Sequence, residues 1–245
     1  MGCRKLGIVT AIILFIFGGA AWSDEYTGHL DKKGSLAFKY GTQIFPDSDL
    51  TDYWDLSPDV APYPVEISYE HKLGRSLGIE LSGCYSQMED EKELPNRQYD
   101  EMEVKNISFS PSIKYHLPVN NSTVLFFGIG PDIVQSRGTL TYTISNRTYE
   151  DDVSEIAYGG HGLIGFEYFI LKNPAKDNFF DWPLSIGLEY KYTFAEISDY
   201  DEELIQKIKT GESRTNPNTV WNSVTPNKLQ VGGHTAAITL KWHFF

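Results

Sequence analysis

The chain has 245 residues, 33 of them acidic against 21 basic, for a formal net charge of −12. That balance argues against nucleic acid as a partner, because nucleic-acid recognition needs a basic footprint. Of the two cysteines, Cys3 lies in the N-terminal leader described next, so the rest of the chain has no disulfide scaffold to rely on.

Residues 1–23 read as a secretory signal peptide. Arg4 and Lys5 open it, 6–17 is uncharged and mostly apolar, and small residues from Gly18 onward place Ala21 and Ser23 just before a cut at Asp24. The apolar run is short for a transmembrane helix, which takes about 20 residues. Cys3 precedes that run and is in the wrong place for acylation. The exported chain is long enough for one domain or two small ones. It begins with a periplasmic lead at 24–33. An exported domain without disulfides needs another source of stability, and a closed barrel, in which every strand is paired, supplies one.

Period-two alternation recurs through the rest of the chain and predicts eight strands. In 34–44, Leu36, Phe38 and Tyr40 alternate with Ser35, Ala37 and Lys39; in 64–72, Val65, Ile67 and Tyr69 alternate with Glu66, Ser68 and Glu70. In 76–86, Ile79, Leu81 and Tyr85 oppose Glu80, Ser82 and Cys84; in 104–117, Ile107, Phe109, Ile113 and Tyr115 oppose Asn106, Ser108, Ser112 and Lys114. Leu125, Phe127, Ile129 and Ile133 share one face of 123–135. In 156–170, Tyr158, Ile164, Phe166 and Tyr168 oppose His161 and Glu167; in 184–194, Leu188, Tyr190 and Tyr192 oppose Glu189 and Lys191. In 230–245, Ile238, Leu240, Trp242 and Phe244 oppose Thr239, Lys241 and His243. Each stretch is near the roughly 9–11 residues of a tilted membrane-spanning strand.

The connections at 72–75 and 118–122 are short. Those near 45–63, 87–103, 136–155 and 197–229 are long, polar and acidic. This alternation predicts an all-β, eight-stranded antiparallel up-and-down transmembrane β-barrel, with periplasmic turns and extracellular loops. Mean hydropathy is below zero, as alternating strands allow. A short helix is also expected at 198–211, capped by Ser198 or Asp199 and ended by Gly211.

Sorting of aromatics to strand ends predicts two interfacial belts, with Tyr69, Tyr115, Tyr168, Trp242 and Phe244 on the periplasmic side and Tyr40, Tyr85, Tyr158 and Tyr192 on the other. The polar faces carry Lys39, Glu66, Glu70, Glu80, Lys114, His161, Glu167, Glu189, Lys191 and Lys241. Eight strands enclose a space just filled by side chains, so these groups are expected to form a polar network that plugs the lumen.

The C-terminal run Ile238-Thr-Leu240-Lys-Trp242-His-Phe244 resembles the terminal strand of outer-membrane barrels. That likeness implies an assembly signal read by the barrel-assembly machinery at Trp242, Phe244 and Phe245, with Phe245 one residue out of phase. The run from Tyr158 to Tyr168, Tyr-Gly-Gly-His-Gly-Leu-Ile-Gly-Phe-Glu-Tyr, with the strand at 184–193 resembles a late hairpin of the small bacterial outer-membrane barrel family, which includes OmpA-like, OmpX-like and OmpW-like proteins. The resemblance implies a Gram-negative outer-membrane location, with outer-membrane lipid and lipopolysaccharide as partners.

Catalytic, metal and cofactor sites are not expected. His161 and Glu167 share a face but lie about 20 Å apart along an extended strand. The outer-membrane lipid A deacylases resemble one another in a His-x-Ser pair, and the runs from His116, His161 and His234 all lack that serine. Acids at Asp47, Asp49, Asp52, Asp55 and Asp59, at Glu89, Asp90, Glu91 and Glu93, at Glu150, Asp151, Asp152 and Glu155, and at Asp201, Glu202 and Glu203 read as solvated loops. Divalent cations or a basic partner are the alternative reading of those acids. The expected role is non-enzymatic: structural or surface interaction, with a narrow channel for small molecules, apolar ones included, as the alternative.

Overall fold

Period-two alternation puts every second side chain on one face of a strand. Here the chain folds so that the polar face is the buried one. A computed structural model describes residues 32–44, 63–94, 98–144, 147–171, 183–197 and 229–244. On β2 (Val65–Lys72), Glu66, Ser68 and Glu70 are buried, while Ile67 is 57% exposed. β1 (Gly34–Ile44) and β7 (Leu184–Ile197) follow the same rule, burying Lys39, Glu189 and Lys191 and exposing Phe38, Leu188 and Tyr190. A soluble domain buries the opposite set.

The remaining wall strands are β3 (Leu77–Leu94), β4 (Gln98–Asn120), β5 (Thr123–Ile144), β6 (Arg147–Leu171) and β9 (Gly233–Phe244). A two-residue β8 (Leu229–Gln230) pairs with the end of β7. Each wall strand pairs antiparallel with its neighbour, β9 pairs with β7, and β1 pairs with both β2 and β9. The wall is therefore a closed eight-stranded antiparallel barrel without a free edge, and no helix occurs among the described residues.

Two of the segments expected as loops take another form. Residues 87–94 and 98–103 prolong β3 and β4 as one paired ribbon, with Leu94 opposite Gln98. Residues 136–144 and 147–155 do the same for β5 and β6, with Ile144 opposite Arg147. These segments pair as strands although their sequence carries little of the apolar alternation that marks the wall strands. Thr139, Thr141, Tyr142 and Thr143 are nonetheless residues that favour strand. The leader at 1–23, the helix expected at 198–211 and most of the segments 45–63 and 197–229 lie outside the described residues.

One seam of the wall is broken. Between β4 and β5 the ladder runs to Phe109 opposite Ile133, lapses, and resumes at Ile113 opposite Ile129. That register places Pro111 opposite Pro131. The ladders on either side continue unbroken through Leu81 opposite Pro111 and Pro131 opposite Gly160. Proline has no N–H to donate, and both missing donors fall on this one seam.

Candidate functional site

The lumen holds the chemistry. Lys39 Nζ lies 2.7 Å from Glu66 Oε1, 3.1 Å from Glu80 Oε1 and 2.8 Å from Glu189 Oε1. Lys114 Nζ takes the other oxygens of the same two acids, Glu80 Oε2 at 2.7 Å and Glu189 Oε2 at 3.1 Å. Lys39, Glu80, Lys114 and Glu189, contributed by β1, β3, β4 and β7, thus close a ring of alternating charge. Lys191 joins through Glu66 at 2.7 Å, and Ser68 donates to Glu80 at 3.1 Å. All of these side chains are buried. Buried charges persist only when paired and hydrogen-bonded, and this ring provides both.

A second group surrounds Lys241. Its Nζ reaches Glu167 at 2.9 Å and Glu70 at 3.2 Å. His116 binds the other Glu70 oxygen, and His243 Nε2 lies 2.7 Å from Glu167 Oε1. Ser185 donates to Glu167 at 2.6 Å and lies 2.9 Å from His243 Nε2. The Phe126 ring separates the two groups, with Lys114 Nζ at 4.7 Å and Lys241 Nζ at 5.6 Å from its centroid. Both are cation–π distances.

The third group is smaller and lies against the broken seam. Ser112 Oγ is 2.8 Å from His161 Nε2, and His161 Nδ1 is 3.0 Å from Asp132 Oδ1. Ser110 Oγ donates to the same Asp132 oxygen. All four residues are buried.

The ten polar-face residues singled out in the sequence therefore fall into different groups. Lys39, Glu66, Glu80, Lys114, Glu189 and Lys191 meet in the ring, and Glu70, Glu167 and Lys241 in the second cluster. His161 joins neither, being held by Ser112 and Asp132. Sequence reading omitted Asp132, Ser110, Ser112, His116, Ser185 and His243 from the network. Parity was the available signal, since 110, 112 and 116 share the face of Lys114, and 243 that of Lys241. A His-x-Ser pair would place the serine on the histidine's own strand. The serine that His161 meets comes from β4, two strands away.

Outside, Tyr40, Tyr69, Tyr85, Tyr115, Tyr158, Tyr168 and Tyr192 are all exposed. Tyr69 stacks on Phe244 at 6.3 Å and Tyr40 on Tyr63 at 5.9 Å between ring centroids. Trp242 and Phe244 have the parity opposite to buried Lys241 and His243. Phe245 lies outside the described residues. Among the described residues no three His, Cys, Asp or Glu side chains are grouped to hold a metal ion. Two open crevices on the wall stand out among the described residues. One, of about 620 Å³, is lined by Tyr40, Tyr63, Phe166 and Tyr190 among others. The other, of about 740 Å³, lies over the broken seam and is lined by Ile113, Ile129 and Phe194 together with Pro111, Ser112 and His161.

No family model and no curated protein matches the chain. Among solved structures it is similar to neisserial surface protein A, at 10% identity and TM-score 0.41 over 86% of this chain and 96% of that one. It is also similar to outer-membrane protein OprG of Pseudomonas aeruginosa, at 12% and 0.40 over 87% and 97%. Ail, the attachment invasion locus protein of Yersinia pestis solved with the heparin analogue sucrose octasulfate, matches at 11% and 0.37 over 87% and 97%. Identities this low transfer no residue roles. By its own strand pairing, its closure and its polar-in, apolar-out faces, the chain is an eight-stranded antiparallel barrel with an apolar outer wall.

Proposed function

We propose that the protein is exported through a cleaved signal peptide to the bacterial outer membrane and spans it as a structural or surface-interacting barrel with a lumen closed by side chains. The observation that carries this reading is the inversion of faces. A wall that exposes Phe38, Ile67, Leu81, Ile113 and Leu188 suits hydrocarbon, and a lumen of paired Lys and Glu needs no conducting water. The exposed tyrosines suit the interfacial layer, where their rings and hydroxyls meet lipid and lipopolysaccharide headgroups. Trp242 and Phe244 at the end of β9 are suited to recognition by the barrel-assembly machinery. The paired ribbons beyond the barrel offer the surface for an extracellular partner.

The test is fractionation of cells expressing the full chain. The expected result is recovery in the outer-membrane fraction, resistance to carbonate extraction and a heat-dependent shift on gels. Release by carbonate or salt alone contradicts the reading.

A further inference from the structure

Three side chains on three adjacent strands are hydrogen-bonded in series behind the broken seam: Ser112 of β4, His161 of β6 and Asp132 of β5. We propose that Ser112 is a nucleophile toward carboxylic esters of membrane amphiphiles, with His161 as its general base and Asp132 as the group that orients the imidazole. This goes beyond the structural role above and rests only on the barrel standing in lipid.

The order of contacts points to this role. Asp132 sits at Nδ1 of His161 and Ser112 at Nε2. A carboxylate at Nδ1 holds the ring proton there and leaves the Nε2 lone pair facing the serine hydroxyl. Nucleophile, base and orienting acid in that sequence form the diagnostic arrangement for an activated serine, whatever the fold. The lumen contains a second Ser–His contact that lacks this order. Ser185 and Glu167 both sit at Nε2 of His243, and His243 Nδ1 has no hydrogen-bond partner. Among the described residues, a lumen serine and histidine in contact therefore do not by themselves produce a relay.

The wall is adapted around the first contact. Gly130 is the ladder partner of His161 and, by the β4–β5 register, lies opposite Ser112. A Cβ there would stand 1.9 Å from Pro111 O and 3.0 Å from His161 Cε1. Its absence lets Ser112 and His161 touch across an intervening strand. The crevice over this point brings apolar Ile113, Ile129 and Phe194 together with Ser112 and His161. An amphiphile in the bilayer thus finds an apolar crevice for its chain, with Ser112 and His161 buried directly behind it. The missing hydrogen bonds at Pro111 and Pro131 lower the cost of opening the wall at this point.

The step balances. Ser112 Oγ bonds to the ester carbonyl carbon as its proton passes to His161 Nε2. The bond from that carbon to the alkoxy oxygen breaks, and the alcohol leaves with the proton. Water, deprotonated by the same nitrogen, then releases the acid and restores Ser112.

The test uses the full chain refolded into phospholipid vesicles, with folding checked by the heat-dependent gel shift. It is incubated with a long-chain alkyl fluorophosphonate and analysed by intact mass and peptide mapping. One adduct, on Ser112, is expected. It should vanish in S112A and form about 100-fold more slowly or worse in H161Q, as loss of a general base predicts. S185A, at the contact without relay order, should label like the parent. P111A/P131A, which restores two donors to the seam, should label more slowly while unfolding at a higher temperature. The parent should also give a burst of nitrophenolate from p-nitrophenyl decanoate that S112A lacks. No adduct on folded parent, or equal labelling of folded H161Q, overturns the proposal and leaves the membrane location untouched.

Discussion

Lys39 and Glu189, 150 residues apart in the chain, meet inside the lumen at 2.8 Å. The contact ties β1 to β7 across the enclosed space, and Lys39 Nζ also donates to Glu80 and lies 2.7 Å from Glu66 Oε1. Replacing Lys39 with Met therefore leaves three buried carboxylates short of a partner. Breaking a buried pair by removing one member costs about 3–5 kcal/mol. Urea unfolding of refolded K39M should show a loss of that order, and adding E189Q to it should recover part of the loss, since one uncompensated charge is removed.

The outer face is apolar. Phe38 is exposed midway along β1, flanked by Ile67 and Leu240 on the neighbouring strands. An arginine at the bilayer midplane of a barrel costs roughly 2–4 kcal/mol. F38R should lose stability of that order in vesicles. An unchanged unfolding midpoint would mean that this face does not stand in hydrocarbon.

Glycines of β6 should divide sharply. A Cβ on Gly165 would meet Phe126 Cζ at 2.3 Å and the Leu188 backbone oxygen at 2.5 Å, whereas Gly162 has nothing within 4 Å. Overpacking costs typically 1–3 kcal/mol, and a glycine-to-alanine change without strain gains about 0.4–1 kcal/mol through the unfolded chain. G165A should unfold earlier than the parent in urea, and G162A no earlier.

The ribbon beyond the barrel should be dispensable for folding. β6 pairs with β7 only from Gly159 onward, so its first half has β5 as its one ladder partner among the described residues. Replacing 140–151 with a two-residue Asn-Gly turn should leave the heat-dependent gel shift intact. Loss of that shift would show that the ribbon is needed to form the wall.

Much of this fold was legible because one face of each strand is sorted so strictly. Lys39 between Phe38 and Tyr40, or Glu189 between Leu188 and Tyr190, leaves little choice of orientation once the strand is recognised. Partners within the lumen were not legible. Which lysine meets which glutamate depends on register and closure, and these bring together residues such as Lys39 and Glu189 that no local pattern relates. The Ser112–His161–Asp132 series escaped for the same reason. Its members lie on three strands, and the contact depends on an absent side chain at Gly130. The ribbons escaped because their sequence carries little of the alternation that marks a wall strand.

Paired side chains close the lumen, and the most direct test of that closure is conductance across a planar lipid bilayer after insertion of the folded protein. The folded parent chain should give no single-channel steps. Reproducible steps from folded parent protein would contradict closure and make the Lys39–Glu80–Lys114–Glu189 ring the lining of a pore.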